Sequence, residues 1–569
     1  MVGGAGARGY HTRMDRRSLL QASPLAALII SELGASAQTA PPNADGVSRE
    51  SLREAMALIG LDFRDEHLDQ MRANVRRAQT AFAALRQQPI PLDTEPAFHF
   101  NPLLPGMTAP KPAPFLMPPP RAARRFGKLE EVAFWPIPDL AALIRSRRVS
   151  SKDLTRMYIQ RLRRHNETLH CVITFTEDLA LEQAARADSE LRRGRYRGLL
   201  HGLPYGAKDL FATKGIPTTW GAEPFKNQVI DANATVIDKL DKAGAVLIAK
   251  LSMGSLALGG LWFGGMTRNP WNTEKTSSGS SAGSASAMAA GLVAFSIGTE
   301  TLGSILTPSR ICGVTGLRPT FGRVSRAGAM SLCWTLDKLG PICRNAEDAL
   351  LVLRAIEGPD GKDATVQTRP LGWNPATAVR SLRAAFVQTD FDKLSGERKT
   401  IAEAALAALR KAGLRLQPVD LPTFPVSSLL TILNAEAAAA FDDLTRDGGL
   451  ETLTGQKDND WPNSFRSARL IPAVEYIRAM RARTQLMVEM QNLMANWDVI
   501  VTPSSSQLLT ITNFTGHPQM TVPIGLLNGE PEAIHFTGRL YEEGKMVRAA
   551  KAYQDTTNWH RMPPPGFSV

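Results

Sequence analysis

A chain of 569 residues, 43% hydrophobic and 21% charged, carries enough apolar mass to bury a large core, which sets aside a disordered or fibrous polypeptide. Its net charge of +12 is interleaved with acids rather than gathered into a block, so no nucleic-acid partner is expected. Four cysteines without CxxC spacing, and no HExxH segment, argue against a zinc site; buried free thiols are expected, with Cys333–Cys343 the one bridge considered.

The first segment, "RMDRRSLLQASPLAALIISELGASAQTA", has twin arginines at Arg16 and Arg17, an apolar run Leu25–Ile30 and a small-residue "ASA" at Ala35–Ala37. That is the order of an export signal of the twin-arginine type, although Asp15 and Glu32 depart from it. The run is too short for a bilayer-spanning helix, so residues 1–37 predict export to the periplasm or beyond without stable membrane insertion.

Leu68, Met71, Val75, Phe82 and Leu85 then recur at helical spacing, and the pattern stops at Pro89. A proline-rich stretch, Pro102–Pro120, reads as an extended linker or as a strap over the main body. Residues 38–128 are therefore expected to form a helical accessory extension.

From residue 129 to 565 one large domain is expected. Helical patterns at Asp139–His165 and Leu179–Arg193 alternate with short apolar runs at Ala245–Ala249, Val293–Gly298 and Asp498–Thr502, which implies an α/β domain with a largely buried sheet. The densest basic patch, Arg145, Arg147, Arg148, Arg161, Arg163 and Arg164, falls on the first helical pattern and reads as a solvated face.

Three segments stand out chemically. "HGLPYGAKDLFATKGIPTTWG" sets Lys208 among small and apolar residues; "SSGSSAGSASAMAAG" is a serine- and glycine-rich run; "SIGTETLGSILTPSRICG" places Ser304 directly after a glycine. A serine nucleophile must lose its proton to a base, and a lysine can take it only when burial keeps the amine neutral. A second serine can relay that proton, because a hydroxyl both donates and accepts. A glycine-containing turn can aim several N–H groups at a developing oxyanion. Singly, each segment has a plain structural reading: a snorkelling lysine, or a helix packed closely through small side chains.

Together they resemble the amidase signature family, whose pattern runs GxPxxxKD, GGSSGG and GTDxGGSIRxPA. Here these are "GLPYGAKD", "SGSSAG" and "GTETLGSILTPSRICG", and the similarity extends through "NPWN", "GAVLIAK" and "NFTGHPQMTVPIG". The resemblance implies a central mixed, twisted β-sheet covered by helices on both faces. It implies Lys208 as base, Ser280 as relay on a cis Gly279–Ser280 peptide, and Ser304 as nucleophile. It further implies oxyanion donors from the N–H groups of Thr301, Leu302, Gly303 and Ser304, support from Ser281, a small-molecule amide substrate, and no cofactor or metal; a homodimer is the assembly considered.

The chain departs from the pattern at Glu300 (an aspartate in the family), at Leu302 and Ser278 (glycines), and at Leu306 (an arginine). An acid and an arginine are expected to brace the turn, and Arg310 is the nearest replacement for the missing arginine. Trp262 and Phe263 are candidate cleft walls, or core. Three other readings compete. Gly279–Gly283 fits G-x-S-x-G, which would make Ser281 the nucleophile with His517 or His535 and Asp337 or Asp498 as partners, but leaves Lys208 without a role. A glutaminase subunit of a tRNA-dependent amidotransferase is opposed by the export signal. A catalytically degraded homologue would bind amides without cleaving them.

Overall fold

The computed structural model describes residues 47–92, 94–107, 110 and 113–568; the expected export signal, 1–37, lies outside the described residues. The chain divides between Pro89 and Ile90 into two compact units.

In the first unit Ser48 caps a helix Arg49–Leu58, and a second helix, Asp65–Arg86, packs against it. Val47, Leu52 and Leu68 form a small core with Met56, Met71 and Val75 around it. Arg49 pairs with Asp65 and Asp69, and Arg53 with Asp65. The predicted apolar stripe is only half used: Phe82 and Leu85, a turn or more beyond this core, are exposed.

The second unit is built on one eleven-stranded mixed sheet flanked by helices. Its strands are β1 (Val172–Phe175), β2 (Pro204–Lys208), β3 (Val246–Leu251), β4 (Phe295–Glu300), β5 (Thr315–Arg318), β6 (Lys338–Cys343), β7 (Ala384–Phe386), β8 (Leu416–Pro418), β9 (Val499–Pro503), β10 (Gln519–Leu527) and β11 (Glu530–Gly538). They lie in the order β1-β3-β2-β4-β6-β5-β10-β11-β9-β7-β8. Strands β2, β3, β4, β5, β6 and β9 are buried at every residue, which explains their near-continuous apolar and small side chains.

The predicted helix Asp139–His165 is two helices, Ile137–Arg145 and Ser151–Leu169. The break comes where Arg147 takes a positive φ of 58° and Ser150 caps the second helix by accepting from the Asp153 N–H. Nor is the basic patch uniformly solvated. Arg161 is buried, donating to the carbonyls of Ala290, Gly291 and Phe567 and pairing with Glu130.

The proline-rich stretch behaves as a strap within this unit. Leu116 N–H donates to Trp373 O (2.8 Å), Trp373 N–H to Pro114 O (3.0 Å), and Arg121 and Arg124 both hold Asp139. All four cysteines are free and buried. Cys343 closes β6 while Cys333 precedes its start, so an extended strand of roughly 17 Å separates them and no bridge forms. Among the described residues no helix is long and apolar enough to cross a membrane.

Strand direction positions the site. β2 and β4 are parallel neighbours, so Lys208 and Glu300 finish at the same sheet edge. Antiparallel β6 begins there, with Lys338 opposite Glu300. Carboxyl ends of parallel strands are where open α/β sheets place their chemistry.

Candidate active site

Lys208 is fully buried at the end of β2. Its Nζ lies 2.8 Å from Ser280 Oγ and 2.8 Å from Thr299 Oγ1. Burial pulls its pKa down from 10.5 to about 7, against the opposing pull of Asp337 and Glu300. The adjacent Asp209 does not neutralise it, because that carboxylate faces away to Lys250 (2.8 Å) and to the Thr219 N–H and hydroxyl. The amine therefore has two hydroxyl partners and no carboxylate.

Ser280 follows a cis Gly279–Ser280 peptide. Gly279 is required there: a Cβ would stand 1.8 Å from the Gly259 carbonyl oxygen. Ser278 has φ 59°, a left-handed conformation that explains the glycine of the family pattern and makes serine a strained substitute. Ser281 opens the helix Ala282–Ala289, and its hydroxyl is closed into β4, donating to Thr299 O (3.1 Å) and accepting from Thr299 N–H (3.2 Å). Its own N–H donates to Ser304 O (3.1 Å), tying the Ser280–Ser281 segment to the turn that carries Ser304.

Residues 301–304 connect β4 to the helix Leu306–Cys312. Gly303 has φ 91°, which favours glycine, whereas Leu302 has no positive φ; its side chain packs on the apolar cluster that includes Leu508 and Ile511. Leucine thus replaces a glycine without backbone strain. Among the described residues no backbone carbonyl accepts from the N–H groups of Thr301, Leu302, Gly303 or Ser304, and Ser304 is half-buried. Four N–H groups without a backbone acceptor, beside a partly accessible hydroxyl, are the kind of donors that a developing anion requires.

The turn is clamped from beneath by Glu300. Its Oε2 accepts from the N–H groups of Ile305 (2.9 Å) and Leu306 (3.0 Å). Its Oε1 takes Arg318 Nη1 (2.7 Å) and Asn513 Nδ2 (2.9 Å). The expectation that Arg310 would reach Glu300 is corrected here. The arginine comes from the end of β5, two strands away in the sheet order, where sequence distance gave no warning. Burial raises and Arg318 lowers the Glu300 pKa, the balance holding it at about 2, so the carboxylate stays charged.

Sequence reasoning missed Thr299, Arg318, Asn513 and Lys338, and it considered Asp337 only as a partner for a histidine. Asp337 instead accepts from the Thr301 hydroxyl (2.6 Å), and Lys338 Nζ donates to Thr301 O (3.4 Å). Register was the usable signal for Lys338, since it sits opposite Glu300; Arg318 and Asn513 had none. The histidines required by the G-x-S-x-G reading are not with Ser281: His517 Nδ1 bonds Thr515 Oγ1, and neither nitrogen of His535 has a partner. Asp498 is held by Arg383 and Lys545. Trp262, a candidate cleft wall, is buried edge-to-face against Phe263.

Comparison with known proteins agrees with this architecture. The family model described as Amidase matches residues 153–513. A glutamyl-tRNA(Gln) amidotransferase subunit of Coxiella burnetii is 31% identical over 477 residues, covering 75% of this chain and 98% of that protein. The crystal structure of native peptide amidase from Stenotrophomonas maltophilia superposes with a TM-score of 0.70 at 30% identity, covering 76% of this chain and 99% of that one. A bacterial aryl acylamidase of the amidase signature family shares the fold at 21% identity and a TM-score of 0.68, over 76% of this chain and 99% of that one.

Proposed function

This chain belongs to the amidase family, and on that premise we propose that it cleaves carboxylic amides through an acyl-enzyme on Ser304. The observation that carries the reading is the buried, carboxylate-free amine of Lys208 within hydrogen-bond reach of Ser280.

The neutral amine has two N–H donors and one lone pair. With Thr299 Oγ1 taking one N–H, the lone pair is free to accept the Ser280 proton. Ser280 in turn accepts the proton of Ser304 as Ser304 Oγ attacks the carbonyl carbon. The oxyanion is met by the N–H groups of 301–304. The C–N bond then breaks, and the proton returns through Ser280 to the leaving amine. Water enters by the same relay, attacks the ester and releases acid and free Ser304. Esters, anilides and carbamates fit the same acylation chemistry, and the likeness to a peptide amidase puts peptide amides first among substrates to try. The twin-arginine segment supports placing the reaction outside the cytoplasm.

The amidotransferase relatives favour a second reading, in which the chain releases ammonia from a glutamine-like amide for a partner protein. A turnover screen over simple amides, peptide amides, anilides, carbamates, esters and glutamine, run beside Ser304→Ala, tests both. Hydrolysis of simple or peptide amides that vanishes in Ser304→Ala is expected. Turnover of glutamine alone favours the second reading, and activity retained in Ser304→Ala contradicts both.

A further inference from the structure

Leu302 stands where the family pattern has a glycine, so this chain adds an isobutyl group to the turn just before Gly303 and Ser304. That side chain packs on the apolar cluster that includes Leu508 and Ile511, yet it is only half-buried. Leu509, also half-buried, approaches from the helix Leu508–Thr515: a Cβ on Gly303 would lie 3.6 Å from its Cδ2. Two leucines therefore flank Gly303, and each keeps part of its surface open beside the half-buried Ser304.

This apolar surface is not free to move aside. Asn513 Nδ2 donates both to Leu509 O (3.0 Å) and to Glu300 Oε1 (2.9 Å), which ties the helical turn bearing Leu509 to the carboxylate beneath Ser304. Thr512 Oγ1, on the same helix, accepts from Arg318 Nη2 (2.8 Å). The Glu300–Arg318 pair that holds the serine turn thus also holds Leu509.

Nor does the turn present a charge. Glu300, Asp337 and Lys338, the charged groups bonded to it, are 0%, 8% and 2% exposed. Thr307 Oγ1, 2.9 Å from the same Cβ position, is neutral. A charged group pressed against the two leucines loses water and gains no partner. An aliphatic or aromatic group covers apolar surface that water otherwise wets.

We propose that Leu302 and Leu509 form a fixed apolar wall against the group carried by the reacting centre, selecting uncharged apolar substituents over charged ones. This wall rests on the acyl-enzyme reading of Ser304 and adds the substrate class to it: amides whose carbonyl carries an aliphatic or aromatic group. It is a feature of this chain, because a glycine at 302 supplies the N–H without the side chain.

The test follows covalent labelling of Ser304 in the full-length protein by two fluorophosphonates, one carrying a butyl group and the other a 3-carboxypropyl group. The two differ in a terminal methyl against a carboxylate, and each labelling rate is divided by that probe's hydrolysis rate in buffer. The butyl probe is expected to label at least about tenfold faster. Leu302→Gly should cut that preference about threefold or more. Leu509→Lys, which sets a cation on the wall, should speed labelling by the carboxypropyl probe and slow it by the butyl probe, a gain that general damage to the fold does not produce. Should Leu509→Lys fail to fold, the wild-type pair and Leu302→Gly decide. Equal labelling by the two probes in the wild type, or a preference unchanged in folded Leu509→Lys, overturns the wall while leaving Ser304 as nucleophile. Labelling of Ser304 by neither probe overturns the acyl-enzyme reading and the wall with it.

Discussion

Arg318 and Glu300 form a fully buried pair, 2.7 Å apart, at the ends of two different strands, and Glu300 in turn holds the N–H groups that follow Ser304. The longer Glu300 and Arg318 thus supply the acid–arginine brace that the resemblance led us to expect from an aspartate at 300 and an arginine at 306. Removing one partner strands the other charge in the core. Arg318→Met is expected to cost about 3–5 kcal/mol of stability, and Glu300→Gln a comparable amount. The double variant Glu300→Gln/Arg318→Met should lose about 1–3 kcal/mol less than the sum of the singles. Urea unfolding of the four proteins measures this; strict additivity would show that the pair is not coupled.

The pH dependence follows from Lys208. Its folded pKa is depressed to about 7 by burial, so the amine is neutral above that value and protonated below it. kcat/KM should rise about tenfold per pH unit below neutrality and level off above it. Stability moves the same way: between about 7 and 10.5 the unfolded chain binds a proton that the native chain does not, so stability rises with pH across that window. Lys208→Met should abolish turnover and remove this part of the stability slope, as pH-rate profiles and unfolding at several pH values would report.

Thr299 touches the lysine amine (2.8 Å), and under the proposed mechanism it is a positioning residue that acts through Lys208. Thr299→Val keeps the shape but removes one acceptor from Nζ. The expected result is a fall in kcat of about tenfold with KM held, and recovery in Thr299→Ser. A change confined to KM would place Thr299 in substrate binding instead.

Ser281 separates the lysine mechanism from the histidine one. Its hydroxyl is committed to the Thr299 backbone, so Ser281→Ala should cost about 1–3 kcal/mol of stability yet leave a folded protein able to acylate. His517→Ala and His535→Ala should retain turnover. Loss of acylation in a folded Ser281→Ala, or in either histidine variant, would restore the elbow reading.

Much of this site is legible in the sequence because its parts are local: Lys208 in its apolar segment, Gly279 and Ser280 in a glycine-serine run, Gly303 and Ser304 in a turn. Short apolar runs likewise expose β3, β4 and β9 to within a residue or two. What pairing across strands decides is not legible. Arg310 is near Glu300 in sequence, whereas Arg318 is near it in the sheet, and nothing short of the β4-β6-β5 order distinguishes them. The basic patch misleads for a related reason: helical periodicity does not reveal that Arg161 meets the carbonyls of Ala290 and Gly291 from another part of the chain.

The most direct measurement is the rate of covalent labelling by a fluorophosphonate as a function of pH, with the modified residue located by mass spectrometry. A single adduct on Ser304, forming faster as pH rises through about 7 and not forming in Lys208→Met, is the predicted result. An adduct on Ser281, or labelling of Ser304 that ignores both pH and the loss of the lysine, would contradict the account.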